Sequence, residues 1–336
     1  MNHSPTFTLL EATHWQDYEL LDSGDGLKLE RFGKYIFARP ESQAMWSRAL
    51  PSSEWNNAHA VFQPTAEESG GHWMEKKKLP AKWEMKYPLP NVGELKFEVM
   101  TTPGRHLGVF PEVASHWDFM AGLVQKENRP VRVLNLFGYT GLASLAAAAA
   151  GAQVTHVDAS KKSVGWAREN QALSGLSDKP IRWIVEDAIK YMQREEKRGV
   201  KYDGIILDPP KFGRGPKGEV WEVYKSLPNL FEICRACLSD NPLFVIATLY
   251  AVRASAIHVA QALSEIMKKY NGNMDSGELV TRETSANRLL SQAVYARGLP
   301  NKKIPRLNTS EFFYFIIIRY YYLYCYCCPS HCSYCC

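Results

Sequence analysis

The stretch GIILDPPKFGRGP, residues 204–216, combines residue types that could do chemistry. Its apolar residues predict a short buried strand that ends at the carboxylate of Asp208. Two prolines, which fix their own φ angles, and Lys211 follow. One interpretation is a strand that ends at the surface in a stiff turn. The other is a catalytic lip, in which a rigid backbone holds a carboxylate and carbonyl acceptors ready for a substrate.

Three more predicted strands end in polar or glycine-containing segments. RVLNLFG leads into Gly138 and Gly141, QVTHVD ends at Asp158, and IRWIVED ends at Asp187. In a parallel sheet these ends share one edge, where doubly wound sheets bind ligands. The G-x-x-G spacing lacks the G-x-G-x-x-G dinucleotide fingerprint, but a tight glycine turn still lets a nucleoside lie against the backbone. Asp158 could accept ribose hydroxyls, and Asp187 an adenine amino group.

Each of these residues also has a purely structural interpretation. Gly138 and Gly141 could be simple turn formers. Asp158 and Asp187 could cap the helices that follow them. Four such strand ends in register favour a binding site over four separate coincidences.

The elements that would position these residues begin near Val131. Strands RVLNLFG, QVTHVD, IRWIVED, YDGIILD and LFVIATLY alternate with helical segments, and GELVTRET and SQAVYARG could close the sheet as an antiparallel pair. Such alternation predicts an α/β fold with a doubly wound, mostly parallel, seven-stranded sheet. Residues 1–100 alternate with the period of half-buried strands, for example in Trp83–Leu89, and predict a smaller β-rich N-terminal domain. We therefore expect domains at 1–100 and 101–300.

Bulk composition places the chain among soluble globular proteins. It has 336 residues, of which 46% are hydrophobic and 22% charged, and its net charge of +5 is compatible with a polyanionic partner. The N-terminal residues lack an apolar signal core, and only Cys234 and Cys237 precede the last dozen residues. These features predict a cytoplasmic protein without a membrane span, although an organellar location stays open.

The C-terminal segment 301–336 differs in composition from the rest of the chain. Its last part, EFFYFIIIRYYYLYCYCCPSHCSYCC, holds six of the eight cysteines. A zinc site is one interpretation, but no cysteine spacing repeats as in a zinc module, and the run Phe312–Ile318 is too short to span a bilayer. We expect that this tail is not part of the fold and that the protein holds no metal.

The motifs VLNLFGYTG, VDAS, ED and LDPPKF together resemble those of class I S-adenosylmethionine-dependent methyltransferases, which have a Rossmann-like fold. The resemblance is greatest to the bacterial large-subunit rRNA methyltransferase group. RHLGVFPEVASHW resembles the segment of that group that closes over the methionine end of the cofactor. The likeness covers about residues 100–300 and implies S-adenosylmethionine as cofactor and methylation of rRNA, hence a role in rRNA processing.

The resemblance also implies roles for matching residues. The catalytic lip would be Asp208, Pro209, Pro210 and Lys211. The cofactor site would be Phe110, Glu112, Asn135, Phe137, Gly138, Tyr139, Thr140, Gly141, Asp158, Ala159, Ser160, Asp187, Ala188 and Asp208. Lys211, Phe212 and Arg214 would contact the substrate.

The lip suits a nitrogen acceptor better than a carbon acceptor. A carboxylate and a proline carbonyl can accept the two hydrogens of an amine and orient its lone pair. Lys211 stands where amine-methylating relatives usually carry an aromatic residue, so the target atom stays open. Methylation at cytosine C5 requires a cysteine nucleophile. Neither LDPPKFGRG nor LFVIATLYAVRAS contains one, and we expect Cys234 and Cys237 to be core residues.

RNA is the favoured substrate, mostly on the resemblance. Basic residues in KFGRGPKGEVW lie in a predicted flexible loop beside the lip, and those in EKKKLPAKW lie between two tryptophans. Basic groups interleaved with aromatic ones suit phosphates and bases. Two alternatives remain: a methyltransferase for a small molecule or protein side chain, with the N-terminal domain as a lid, or a noncatalytic cofactor-binding protein of the same fold.

Overall fold

The computed structural model describes residues 6–65, 70–250 and 254–300. The tail at 301–336 lies outside the described residues, so the expectation about it stays a prediction. The N-terminal part contains β1 (Thr6–Glu11), β2 (Tyr18–Gly24), β3 (Leu27–Phe32), β4 (Tyr35–Pro40), α1 (Ser52–Asn56), β5 (Ala60–Pro64), β6 (Gly71–Glu75), β7 (Trp83–Leu89) and β8 (Gly93–Val99).

The larger part follows a 3₁₀ turn at Pro111–Val113. Its elements are α2 (Ala114–Gln125), β9 (Arg132–Leu136), α3 (Leu142–Ala149), β10 (Gln153–Asp158), α4 (Lys161–Leu173), β11 (Ile181–Val185), α5 (Ala188–Lys197), β12 (Gly204–Leu207), β13 (Phe212–Arg214), β14 (Val220–Glu222), α6 (Val223–Cys237), β15 (Phe244–Leu249), α7 (Ala256–Met267), β16 (Asn273–Arg282) and β17 (Leu289–Leu299). A second 3₁₀ turn covers Lys268–Tyr270.

One large mixed sheet carries the predicted alternation. Its strand order is β1-β16-β17-β15-β12-β9-β10-β11, and the five strands from β15 to β11 are parallel. β17 runs antiparallel to both β15 and β16, as the closing pair predicted. The sheet has eight strands and not the predicted seven, because β1 pairs parallel with β16. The approach is tight: a Cβ on Gly277 would collide with the backbone of Thr8.

Helices cover both faces of this sheet, and two cores result. Alternate residues of the buried strands point to opposite faces. Val133, Ile206 and Ile246 join a core with α2 and α3, while Leu134, Ile205 and others join a core with α5, α6 and α7. The doubly wound arrangement is therefore confirmed. α6 continues without interruption through Pro228.

The β-rich N-terminal part forms a five-stranded sheet, β2-β3-β4-β5-β6, and the separate hairpin β7-β8. Aromatic side chains of both pack into the core that also contains α2; they include Phe37 and Trp83, stacked with ring centroids 5.6 Å apart. Strand β1 lies outside this part, in the large sheet. The proposed boundary at residue 100 stays a prediction.

Candidate functional site

The carboxyl ends of the parallel strands meet along one edge of the large sheet. Leu136 of β9 pairs with Val157 of β10 on one side and with Leu207 of β12 on the other. β11 continues the row beyond β10, and β15 continues it beyond β12. The loop after β9, Asp158, Asp187 and Asp208 therefore share this edge, as the strand-end argument predicted.

The loop between β9 and α3 has an unusual backbone. Phe137 and Tyr139 have positive φ angles of 59° and 48°, and Gly141 has φ 87°. Non-glycine residues seldom adopt such angles, which cost on the order of 1 kcal/mol and cluster at functional sites. Gly138 has no room for a side chain, because a Cβ there would collide with the ring of His156.

A row of buried, hydrogen-bonded polar side chains lies under this loop. Asn135 Nδ2 donates to Ser144 Oγ at 2.9 Å, and Ser144 Oγ lies 3.0 Å from His156 Nδ1. Burial lowers the pKa of His156 to about 3, so its ring is neutral. The amide nitrogen of Asn135 is thus engaged beneath the loop, and its proposed contact with the cofactor stays a prediction.

Asp158 joins the loop to the end of β10. Its Oδ2 accepts from the Tyr139 amide at 2.9 Å, and its Oδ1 accepts from the Ser160 amide at 2.8 Å. Burial raises the pKa of Asp158, and these two hydrogen bonds partly offset the rise. Each carboxylate oxygen has a second lone pair for a ligand hydroxyl. The neighbouring Ala159 is half-buried.

The helices that follow β10 and β11 begin with capping residues. Ser160 Oγ accepts from the Ser163 amide at 3.1 Å, and Asp187 Oδ1 accepts from the Lys190 amide at 2.9 Å. Ala188, the first residue of α5, is buried. Asp187 therefore has the structural role that the sequence allowed, and a contact with adenine would be additional to it.

The segment before the 3₁₀ turn reaches over the same edge. Phe110 lies 5.9 Å from the Tyr139 ring and 4.6 Å from that of His106, measured between ring centroids. Thr140 Oγ1 donates to the Gly108 carbonyl at 2.7 Å, which ties the loop after β9 to this segment. Glu112 is buried, and burial raises its pKa.

The small sheet holds this covering segment in place. Arg39 forms a two-pronged, buried ion pair with Glu30, both contacts at 2.7 Å, and its remaining arm donates to the Arg105 carbonyl at 2.9 Å. Although burial opposes ionisation, the charge of Arg39 lowers the pKa of Glu30 to about 2. Trp15 Nε1 donates to the Pro111 carbonyl at 2.9 Å. The N-terminal part thus positions Glu112 and its neighbours.

Asp208 stands directly after β12. Its Oδ1 is buried and accepts no hydrogen bond from the described residues. Burial, followed by the negative charge of Glu112, raises the pKa of Asp208 from 3.8 to about 8. The carboxyl is thus mostly protonated at neutral pH until a cation or donor approaches it. Pro209 is buried, and the Pro210 carbonyl accepts from Trp221 Nε1 at 2.7 Å.

The lip continues into a short hairpin. The sequence predicted a flexible loop here, but β13 pairs antiparallel with β14, with Phe212 opposite Glu222 and Arg214 opposite Val220. Phe212 is 59% exposed and Lys211 Nζ lies 5.4 Å above its ring. Arg214 is exposed as well. Trp221 of this hairpin packs on Phe137, with ring centroids 4.7 Å apart, and so ties the hairpin to the loop after β9.

The sequence reasoning missed one residue at this edge. Tyr250 follows β15 directly, as Asp208 follows β12, so the strand-end rule applied to LFVIATLY would have found it.

The cysteines are as predicted: Cys234 and Cys237 are buried on α6. In the described parts of the chain, no cluster of three or more metal-ligating side chains occurs. Nor does any helix there have the length and apolar character to span a membrane.

Comparison with known proteins decides the family. A family model described as S-adenosylmethionine-dependent methyltransferase matches residues 94–259. The crystal structure of a SAM-dependent methyltransferase from Agrobacterium tumefaciens is 46% identical, covers 89% of this chain and 95% of that chain, and has a TM-score of 0.83. The chain belongs to the S-adenosylmethionine-dependent methyltransferase family. It is an enzyme, and S-adenosylmethionine is its cofactor.

More distant relatives add the context of rRNA. The ribosomal RNA large subunit methyltransferase K/L of Shewanella sp. (strain ANA-3) is 31% identical over 196 residues, which are 57% of this chain and 26% of that protein. The chain thus spans about a quarter of the length of these curated relatives. The structure of SMU.776, a methyltransferase complexed with S-adenosylhomocysteine, is 19% identical, covers 85% of this chain and 76% of that chain, and has a TM-score of 0.59. That likeness shows the fold alone.

The residues at the sheet edge fit the cofactor of this methyltransferase. Asp158 offers free lone pairs for ribose hydroxyls, and the rings of Phe110 and Tyr139 offer apolar surface. The buried, unpaired Asp208 Oδ1 lies where a positively charged ligand would be stabilised. The sequence-derived assignments of individual residues to cofactor and substrate stay proposals.

The raised pKa of Asp208 has a measurable consequence for stability. Because the pKa is about 8 in the folded protein and 3.8 in an ordinary carboxyl, the folded state binds this proton more tightly than the unfolded chain. The contribution of Asp208 to stability therefore falls as pH rises from about 4 to about 8. We expect Asp208→Asn, which stays neutral, to melt roughly 2 °C or more above the wild type at pH 9, and to lose this advantage at pH 4.

Calorimetry of both proteins without cofactor across this pH range measures the difference. Asp178→Asn is the matched control, because the Asp178 side chain is 74% exposed and only loosely paired with Lys179 at 3.7 Å. Melting curves of Asp208→Asn and wild type that run parallel at every pH would show that the carboxyl is not buried as described.

Proposed function

We propose that this methyltransferase transfers a methyl group to a nitrogen atom of an RNA base, with an rRNA-like substrate. The observation that carries the proposal is the buried, unpaired Asp208 Oδ1 beside a hairpin that presents Phe212 and Arg214 to solvent. A buried carboxyl oxygen that lacks a partner is stabilised by a hydrogen-bond donor, and an amine or ring N–H supplies one. The rRNA methyltransferases named above support the choice of RNA.

The proposed division of labour follows from the chain's own groups. Asp208 and the Pro209 carbonyl accept hydrogens from the target nitrogen and turn its lone pair towards the methyl donor. The Pro210 carbonyl is already bonded to Trp221, which fixes the backbone of the lip. S-adenosylmethionine, when bound, supplies a methyl group on a positively charged sulfur. That charge lowers the pKa of a nearby carboxyl, so Asp208 gains accepting capacity when the cofactor arrives.

The thiols of the described residues support nitrogen over cytosine C5. Attack on a pyrimidine ring needs a thiolate at the substrate. Cys234 and Cys237 lie in the core between α5, α6 and α7 instead. Burial raises the pKa of Cys234 far above its ordinary range and that of Cys237 to about 11, so both stay protonated. Neither can act as the nucleophile.

Mass spectrometry of nucleosides is the experiment that tests the proposal. RNA is compared from cells that express the wild type and from cells that express Asp208→Ala. We expect a base-nitrogen-methylated nucleoside in the first RNA and at least a tenfold loss in the second, since removing a group that contacts the reacting atom costs about that much or more. A product that is 5-methylcytidine contradicts the choice of atom.

A parallel assay tests the substrate class. Purified wild type is given tritiated S-adenosylmethionine with total RNA, a metabolite extract or a protein fraction. Label that enters only the metabolites or proteins contradicts the choice of RNA. Cofactor binding without label in any fraction would identify a noncatalytic binding protein.

The hairpin makes its own prediction about RNA. Arg214→Ala removes an exposed cation beside the lip, so we expect a several-fold rise in KM for RNA and a salt dependence of log affinity that is shallower by about one unit. Arg235→Ala removes the same charge from α6, where Arg235 is paired with Glu232 at 2.6 Å. It serves as the matched control, and equal effects of both variants would exclude a specific role for Arg214.

A further inference from the structure

Two polar atoms at the sheet edge are buried and have no partner in hydrogen-bond geometry within the described residues: Oδ1 of Asp208 and the hydroxyl of Tyr250, whose nearest carboxylate neighbours include Glu112. Each residue directly follows a strand, Asp208 after β12 and Tyr250 after β15. These strands are parallel neighbours, with Leu207 opposite Ala247. Both groups therefore lie at this edge of the sheet, close enough that the charge of Asp208, together with burial, raises the pKa of Tyr250.

The surroundings of Tyr250 hold its ring in place. The ring lies 5.2 Å from that of Phe110, tilted by 45°. Tyr250 also packs against the cluster of Leu279, Ala293 and Tyr295. Packing of the ring against Phe110 and this cluster restricts the side chain, so the hydroxyl is available to a ligand with little loss of side-chain entropy.

An unpaired hydroxyl in this position is costly without a ligand. A buried polar group with no partner destabilises a protein by about 1–3 kcal/mol. Burial, the negative charges of Asp208 and Glu112, and the approach of the Glu112 side chain, which stays outside hydrogen-bond geometry, raise the pKa of Tyr250, so its hydroxyl stays protonated and can donate. The Tyr250 hydroxyl is a donor and Asp208 Oδ1 is an acceptor. Together they match a ligand edge that carries an acceptor next to a donor.

We propose that Tyr250 recognises the methylated base by donating a hydrogen bond to the ring acceptor next to the target nitrogen, while Asp208 accepts from that nitrogen. The inference rests on the proposed function and adds to it the residue that would recognise the base. The base must carry an amine or N–H directly beside a ring nitrogen or carbonyl, and its face would lie near the Phe110 ring. No covalent step involves Tyr250, which contacts the substrate only.

Tyr250→Phe tests this role because it removes the hydroxyl and keeps the ring that packs on Phe110. We expect the affinity for S-adenosylmethionine, measured by calorimetry, to stay within about twofold of the wild type. The kcat/KM for methyl transfer to total RNA should fall about tenfold or more, as expected for loss of a buried hydrogen bond to a substrate. Tyr270→Phe is the matched control, since the Tyr270 hydroxyl donates to the Ser239 carbonyl, away from the sheet edge.

A binding measurement gives a second readout that does not depend on turnover. Adenosine, cytidine, guanosine and uridine are titrated into the complex of the protein with S-adenosylhomocysteine. We expect one or more of the nucleosides to bind the wild type and to bind Tyr250→Phe about tenfold more weakly, with no change in Tyr270→Phe.

Three results overturn the inference. They are unchanged kcat/KM in Tyr250→Phe, equal nucleoside affinities in wild type and variant, and no nucleoside binding to the wild type. Failure of the proposed function has a different signature: the wild type transfers no methyl to RNA but does so to metabolites or proteins. In that case the accepting fraction replaces RNA in the comparison of Tyr250→Phe with the wild type.

Discussion

Parallel pairing of β9 with both β10 and β12 is the constraint on which the site depends. It brings the ends of three strands to one edge, and β11 and β15 extend the row at either side. Residues that are far apart in sequence, from the loop at Phe137 to Tyr250, become neighbours only because these strands stay in register. Each group at the edge is then positioned by the hydrogen-bonded backbone of the strand before it, and alignment of a methyl donor with an acceptor requires such rigidity.

The same edge holds residues with unfavourable backbone angles and buried polar atoms without partners. Phe137 and Tyr139 have left-handed backbone angles, and Asp208 and Tyr250 bury polar atoms that have no partner. Such features lower the free energy of unfolding when no ligand compensates them, whereas the buried carboxylate of Glu30 is paired with Arg39. Four such residues at the one edge where the parallel strands end indicate groups arranged for a ligand.

The sequence predicted the parts of the fold that depend on local pattern. The alternation after Val131 gave the parallel strands and helices, and the strand-end rule brought Asp158, Asp187 and Asp208 to one edge. Prediction from the sequence failed where two contacting residues lie far apart in the chain or where no local residue pattern marks the contact. The partner of β1 is β16, more than 260 residues away, so the eighth strand could not be anticipated. The hairpin β13-β14 has only three residues in each strand, and its anchor, Trp221 on Phe137, is a tertiary contact.

The role of the small sheet also emerges only in three dimensions. Arg39 and Trp15 bond to backbone carbonyls on either side of Phe110, so the N-terminal part steadies the segment that covers the site. Nothing in the local pattern of either residue marks it for this contact. The sequence alone therefore does not show that the N-terminal part is hydrogen-bonded to the segment that covers the site.

A crystal structure of the protein with S-adenosylhomocysteine tests most directly whether these strand ends form the cofactor site. We predict that the ribose hydroxyls bond to Asp158, that the adenine lies beside Asp187 and Ala188, and that the sulfur faces Asp208. A ligand bound elsewhere on the chain, or a sulfur turned away from Asp208, would contradict the account.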